Sequence, residues 1–236
     1  MALLKRSTPL YSRNEMSEST WAPTPSTDTF QTIQKQVAGY CLLPTDPEVL
    51  ETAAAGIRRA IDRLNTKTWN WTVTYDDIDF VVDQTDYALT SWFKSPRNFE
   101  IWNTDSKSVG RLAYKDWKTF LVEHQDLTAE SEPCVYSCAN VNALGSLSLN
   151  ALPTASWVAS YPSGRVWYYR KVQYPTTGGS DLDVPSEVVG FIQASAEGFV
   201  ADRHAVAKAA AAYQRAERFL HELVVDDRHG GQTDWE

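Results

Sequence analysis

Cysteine, histidine and methionine are scarce in this sequence, which has three, four and two of them among 236 residues. Three cysteines cannot all pair within the chain, so we expect free thiols and a reducing compartment. Cys134 and Cys138 are separated by three residues, but zinc needs four ligands and the nearest histidine, His124, belongs to a different predicted element. We therefore predict no metal and no cofactor. Because Cys134 and Cys138 share parity on a strand, both thiols are expected to face a core.

Long hydrophobic runs are also missing, and cations are few. No run approaches the ~18 to 20 apolar residues that a membrane span needs, and residues 1–13 lack the apolar core of a signal peptide. We expect a soluble protein that contacts no membrane. The chain has 22 Lys and Arg against 30 Asp and Glu, a net charge of -8. This balance argues against tight binding to phosphate backbones, although DNA can still pass by without sticking.

Catalytic motifs are absent as well. The sequence contains no P-loop and no GxGxxG, and neither Ser163 nor Ser146 sits in a GxSxG elbow. One acidic cluster could flank a glycosidic bond, because that chemistry uses two carboxylates a few ångströms apart. A solvated strand edge explains the cluster more simply, so we predict no enzymatic role. The cluster consists of Asp76, Asp77, Asp79, Asp83 and Asp86.

Helical periodicity is what the sequence has in abundance, and it is strongest near the C-terminus. Apolar residues recur at helical spacing over residues 185–225, with Pro185 at a first helical position. The pattern predicts either one long rod or two helices hinged near residues 201–203. The stripe consists of Val188, Ile192, Ser195, Phe199, Asp202, Val206, Ala209, Tyr213, Ala216, Leu220 and Leu223.

Two further helices are predicted near the N-terminus. The first begins around Asp28 and stops before Pro44, and the second is capped by Thr45 or Asp46 and runs to Asn65. The narrow stripe at the C-terminal end needs helical partners, and only these helices offer them. We therefore predict a helical bundle from residues 27–68 and 184–227. Residues 1–26, rich in Ser, Thr and Pro, are predicted to be a flexible arm.

The middle of the chain has the character of strands. Alternating aromatic and β-branched residues from Trp69 to Tyr75 open it, and a short helix at residues 116–124 interrupts it. We predict an antiparallel β sandwich or barrel-like domain inserted at residues 69–183, with residues 174–183 as a linker, and hence an α+β fold. The remaining predicted strands are residues 78–82, 86–89, 99–102, 109–114, 134–138, 144–149 and 166–174.

The order of these segments resembles that of a known family. Two N-terminal helices lead into the Trp-Asn-Trp-Thr segment at residues 69–72, and the β insertion ends in Val-Trp-Tyr-Tyr-Arg at residues 166–170. A linker, a Val-Pro helix start, Ala196, Tyr213 and the closing residues 220–227 follow. In this order the chain is similar, over roughly residues 30–227, to the head-to-tail adaptor proteins of tailed bacteriophages.

This resemblance implies a structural virion protein at the head-tail interface, made in the host cytoplasm. Such adaptors form a ring, commonly a dodecamer, that joins the portal protein to a tail or nozzle protein and lets DNA through its channel. The resemblance also implies a C-terminal tail that docks on the portal. We assign that tail to residues 228–236 and predict portal contacts by Asp227, Arg228, Gln232 and Trp235, because Gly230 and Gly231 release the chain from its own domain.

An alternative hypothesis is a carbohydrate-binding or tail-fibre-type β module. Its basis is the tryptophan content, since Trp92, Trp102, Trp157 and Trp167 could stack on sugars. Protein cores and subunit interfaces use tryptophan equally well. The helical stripe favours the adaptor, because a sugar-binding sandwich has no need of it.

Overall fold

The computed structural model describes residues 26–90, 92–141 and 144–230. Within them the chain forms six α-helices and two four-stranded sheets, so the predicted α+β class is confirmed. The helices are α1 (Phe30–Tyr40), α2 (Pro47–Asn65), α3 (Trp117–Glu123), α4 (Ala155–Ser160), α5 (Ser186–His204) and α6 (Val206–Gly230). The strands are β1 (Val73–Asp79), β2 (Asp86–Ala88), β3 (Phe93–Trp102), β4 (Ser108–Arg111), β5 (Ala113–Tyr114), β6 (Val135–Val141), β7 (Leu144–Leu149) and β8 (Ser163–Arg170).

The two N-terminal helices begin where their capping residues predict. The hydroxyl of Thr29 accepts the backbone N–H of Thr32 at 3.2 Å and starts α1. The carboxylate of Asp46 accepts the N–H groups of Glu48 and Val49 at 2.9 and 3.1 Å and starts α2. Each cap satisfies donors that the first turn of a helix leaves without a partner.

The C-terminal stripe forms two helices rather than one rod. The break is at Ala205, whose φ of -157° is extended, and α6 folds back along α5 so that Gly198 faces the ring of Tyr213. The register restarts after Ala205, so Val206, which the stripe placed on the buried side, is 71% exposed. The final helix also continues past the predicted end at Val225 to Gly230.

One hydrophobic core unites α1, α2, α5 and α6, although their sequences come from opposite ends of the chain. Ile33, Ile57 and Ile192 are among its fully buried members. Leu182 also belongs to it, so the predicted linker ends in ordered, buried chain. Ser26, placed in the predicted arm, is buried and donates its N–H to the carbonyl of Val184 at 3.1 Å. The rest of that arm, residues 1–25, lies outside the described residues.

The second hydrophobic core lies among the strands. The first sheet has the order β1-β8-β3-β4 and is antiparallel, while the second has the order β2-β7-β6-β5. The prediction of purely antiparallel pairing is wrong for the second sheet, because β5 runs parallel to β6. The ring of Phe99 on β3 meets that of Tyr136 on β6 at a centroid distance of 5.3 Å, so the two sheets pack across this core.

The predicted strand at residues 69–75 begins later than its aromatic pattern indicates. Residues Asn70–Thr72 form a 3-10 turn, and β1 starts only at Val73. Trp69 is buried in the helical core, where its indole N–H donates to the carbonyl of Leu64 at 2.9 Å. The Leu64 carbonyl lies at the end of α2 and also accepts the backbone N–H of Lys67 at 3.2 Å, and the bond from Trp69 gives the buried indole its acceptor.

Other elements also differ from the predictions: residues 78 and 79 end β1, residues 109–114 divide between β4 and β5, and β8 starts and ends earlier than predicted. β3 begins at Phe93, before the predicted start at Phe99, because Pro96 sits at an irregularity of the register where its missing N–H is tolerated. The helix α4 was not predicted. Cys134 precedes β6 and is exposed, whereas Cys138 is buried, so only one of the two thiols faces the core.

Polar contacts join the helical core to the strands. The side chain of Asn65, at the end of α2, donates to the carbonyl of Val172 at 3.0 Å and accepts its N–H at 2.8 Å. Arg170 at the end of β8 forms an ion pair with Asp183, just before α5. These contacts fix both points at which the chain passes between the helices and the sheets.

Candidate functional site

The end of α6 carries the first of the residues predicted to bind a partner. The carboxylate of Asp227 accepts the backbone N–H of Asn70 at 2.7 Å, and the carbonyl of Asp227 accepts the side-chain amide of Asn70 at 2.9 Å. Burial raises the pKa of the Asp227 carboxyl above its ordinary value, while the bond from the Asn70 N–H opposes that rise. Asp227 therefore holds the last helix against the turn before β1.

The other predicted partner-binding residues follow this contact. Arg228 belongs to α6, while Gln232 and Trp235 lie outside the described residues. The structure adds Asn70 to the site, which the sequence argument missed. The alternation of Trp69 and Trp71 predicts a strand at this point. The local pattern does not indicate that Asn70, which lies between them, pairs with a residue 157 positions later.

The acidic cluster divides among structural partners. Asp77 forms a two-point ion pair with Arg165, at 2.7 and 3.1 Å, and Asp76 accepts the N–H of Thr90 at 3.0 Å. Asp86 lies on β2, where it accepts the hydroxyl of Ser148. Since β1 and β2 are both edge strands, the interpretation of the carboxylates as a charged strand edge agrees with the topology.

The outer face of the first sheet carries a stack of aromatic and cationic side chains, in which Arg165 and Tyr75 join two of the predicted stacking residues, Trp102 and Trp167. The guanidinium carbon of Arg165 lies 4.0 Å from the ring centre of Tyr75 and 4.9 Å from that of Trp102. Tyr75 also meets Trp167 at 5.0 Å, and its side chain remains 45% exposed. The alternation of Arg165 and Trp167 along β8 is the signal that marks this face, because residues two apart on a strand point the same way.

One tryptophan of the alternative hypothesis, Trp157, does not lie on this face. Trp157 is buried in the core between the sheets, and the guanidinium of Arg165 covers one face each of Tyr75 and Trp102. The indole N–H of Trp102 is buried and has no acceptor among the described residues. Trp, Tyr and Arg are the residue types that carry most binding energy at protein interfaces, so the face is suited to a protein contact.

Two groups of exposed apolar side chains mark further candidate contacts. Leu42, which is 79% exposed, and Leu43 lie in the turn between α1 and α2. Leu42 also has a φ of 65°, a backbone conformation that a bulky residue rarely adopts. Leu121 and Val122 are exposed on α3. Exposed apolar patches of this kind are typical of surfaces that bind other proteins.

Among the described residues, no group of three or more His, Cys, Asp or Glu side chains is arranged to hold a metal ion. In the same part of the chain, the helices are too short or too polar to cross a membrane. Burial raises the pKa of the Cys138 thiol to about 12, and it raises the pKa of the Cys41 thiol as well. Thiols that resist ionisation are poor nucleophiles, so these two cysteines serve packing.

Comparison with known proteins identifies a family. No curated protein matches the chain. The model of one protein family, described as SU10 adaptor protein, matches residues 28–235 and therefore covers both cores and the end of α6. The family consists of structural components of phage particles. The chain belongs to the SU10 adaptor protein family, a family of head-tail adaptors of bacteriophages.

Proposed function

We propose that this protein forms the ring that joins the portal protein to the tail or nozzle protein and continues the DNA channel between them. The ring is a dodecamer at the head-tail interface of the virion, assembled from subunits made in the host cytoplasm. The observation that carries the proposal is the family match over residues 28–235. It spans almost every described residue, so the assignment concerns the whole fold and not one motif.

The two cores support a division of labour within each subunit. In this proposal, residues 27–68 and 184–227 form a helical bundle that packs around the channel. Residues 69–183 form an inserted β sandwich that faces the tail. The separate hydrophobic cores of the helices and the sheets favour this division, and the exposed aromatic face around Arg165 gives the β region a surface suited to a protein partner.

The charge balance supports passage of DNA without specific binding. The chain carries eight more acidic than basic groups, since 30 Asp and Glu stand against 22 Lys and Arg. Tight binding to DNA draws on Lys and Arg that displace counterions from phosphates. An acidic ring repels the backbone on average, so the duplex slides through rather than remaining attached.

The portal contact is proposed for the C-terminal segment, residues 228–236, together with the end of α6. The bonds between Asp227 and Asn70 support this role, because they fix the point from which the segment departs. Arg228, Gln232 and Trp235 then provide a cation, an amide and a large aromatic group. A tryptophan buried in a pocket of the partner can contribute about 2 kcal/mol or more to binding.

The test uses portal-containing heads and the full-length protein. Deletion of residues 231–236 and, separately, Trp235→Ala should reduce attachment, measured by co-sedimentation and by negative-stain images of the vertex. Trp92→Ala is the matched control, because it makes the same substitution at an exposed tryptophan that precedes β3 on the strand side. If both C-terminal variants attach as well as Trp92→Ala, the portal contact lies elsewhere. If the parent forms no ring on the heads, the adaptor-ring function itself is refuted.

A further inference from the structure

A pocket of about 350 Å³ opens on α6 beside the end of α1. Tyr40 forms one wall, and the remaining lining residues, Ala211, Gln214, Arg215 and Arg218, lie along one side of α6. The residues predicted to contact the portal all lie at or beyond the far end of α6, so that contact does not account for the pocket. None of the residues of the predicted apolar stripe lines it either.

Arg215 is held in place at the pocket wall. One of its terminal amino groups donates to Glu197, which is 5% exposed, and Gln193 donates to the other oxygen of the same carboxylate at 3.0 Å. The guanidinium carbon lies 5.1 Å from the ring centre of Tyr40. The Nε–H of Arg215 is nevertheless buried without an acceptor among the described residues. The Arg215 side chain is also 42% exposed, so part of the guanidinium is accessible from the solvent. A cation that is anchored by a buried carboxylate and remains partly exposed is a preorganised site for an oxyanion.

The surrounding charges favour the same kind of ligand. Arg218 is 65% exposed and lies 3.9 Å from Glu222, a separation that gives at most a weak ion pair. Lys208 donates to the carbonyl of Tyr40 at 2.8 Å and has no carboxylate partner among the described residues. The pocket region has one positive charge in excess. Its three cations are Lys208, Arg215 and Arg218, and the two carboxylates beside them are Glu197 and Glu222.

We propose that this pocket receives the side-chain carboxylate of an Asp or Glu from a second copy of the chain. The proposal rests on the ring of the proposed function and names a contact between its neighbouring subunits. A contact between two different surfaces of identical subunits is the kind that closes into a ring. The chain supplies the ligand in quantity, since its acidic groups outnumber its basic ones by eight, 30 against 22.

The surface next to the pocket favours a protein over the phosphates of DNA. Tyr40 and Lys208 exchange hydrogen bonds, at 3.1 and 2.8 Å, and so join the turn after α1 to the start of α6. Each of these segments carries exposed apolar side chains, Leu42 and Leu43 in the turn and Val206 at the helix start. Apolar groups beside a cationic pocket suit a protein surface, whereas a phosphate backbone gains nothing from them.

The first experiment measures the pocket on the free subunit. Glutarate, titrated as a carboxylate probe, should shift the Arg215 Nε–H resonance saturably in NMR spectra of the full chain. Ala211→Glu should abolish the saturable shift, because a glutamate four residues before Arg215 on a helix can fill the pocket and pair with it. Ala210→Glu is the matched control, with the same charge change at a neighbouring exposed position that does not line the pocket. No shift with glutarate, or a saturable shift with inorganic phosphate alone, overturns the carboxylate assignment.

The second experiment measures assembly on portal-containing heads by mass photometry and negative-stain microscopy. Ala211→Glu should raise the concentration needed for ring formation by about tenfold or more, the effect of losing one interfacial ion pair, while Ala210→Glu assembles like the parent. Equal assembly by all three proteins overturns the contact with a second copy. Retention of short duplex DNA by the parent and its loss in Ala211→Glu overturns it in favour of nucleic acid. If the parent itself forms no ring, the proposed function fails and the second-copy contact with it, while the NMR titration still decides whether the pocket binds a carboxylate.

Discussion

Gly198, in the interior of α5, provides a direct test of the close contact between α5 and α6. A Cβ atom added at this position would lie 2.7 Å from two ring carbons of Tyr213 and 3.0 Å from the first ring carbon. The ring has little freedom to move, because its hydroxyl donates to Asp202 at 2.7 Å. Gly198→Ala should therefore force α6 away from α5.

A second glycine of the same helix separates this clash from the general effect of alanine. At Gly190, an added Cβ would meet the ring of Phe219 at 3.5 Å, which is an ordinary contact. Replacing glycine by alanine inside a helix stabilises it by about 0.5 to 1 kcal/mol, and this gain applies to both positions. Overpacking costs about 1 to 3 kcal/mol and applies only to Gly198. Gly190→Ala should thus be stabilising and Gly198→Ala destabilising, with a difference of about 1 to 3 kcal/mol.

Urea unfolding followed by far-UV circular dichroism measures both variants, provided that the slope with denaturant stays equal to that of the parent. The two midpoints should move in opposite directions. If Gly198→Ala stabilises the protein as much as Gly190→Ala does, the helices do not approach closely at Tyr213. The break at Ala205 would then not fold α6 back against α5 as described.

Three other changes test the core, the thiols and the contact at the end of α6. Ile57→Ala, at a fully buried position, should lower the free energy of unfolding by about 2 to 5 kcal/mol in the same urea assay. In the native protein at pH 8, a disulfide reagent should modify exposed Cys134 rapidly, and buried Cys138, whose pKa is raised to about 12, only after unfolding. Equal rates at the two sites would contradict the orientation of β6. Burial raises the pKa of Asp227, so the folded state keeps its proton to higher pH than the unfolded chain does. The contribution of Asp227 to the free energy of unfolding should therefore fall as the pH rises from about 4 through the raised pKa. Asp227→Asn keeps an acceptor oxygen for Asn70 and should remove this component of the decrease, as unfolding curves at pH 4 and 7 would reveal.

Much of the secondary structure follows from short-range chemistry, which explains why sequence patterns could predict it. The caps of α1 and α2 depend on side chains within three residues of the helix start. The fully buried Ile57 and Ile61 come from a period that one helix imposes on its own sequence. A residue outside the local pattern determines the position of Cys134. The backbone N–H of Cys134 donates to the side chain of Asn150 at 3.0 Å, and Cys134 lies just before β6 instead of within it.

The candidate contact surfaces were harder to predict, because they join residues far apart in the chain. The stack around Arg165 takes its members from β1, β3 and β8, and only the strand order brings them to one face. The pocket beside Arg215 needs Tyr40 from the other end of the sequence. A single sequence contains the residue types for these sites but no measure of which distant segments meet.

What the sequence determined by itself is the set of local elements and their order, and that order was enough to predict the adaptor family. Periodicity, capping and turn chemistry act within a few residues, so they act the same way before and after folding. The tertiary structure alone decided that the last stripe breaks at Ala205, that Trp69 packs with the helices, and that Asp227 pairs with Asn70. Each of these depends on burying apolar surface and satisfying buried polar groups between distant segments, and those energies exist only once the chain has brought the segments together.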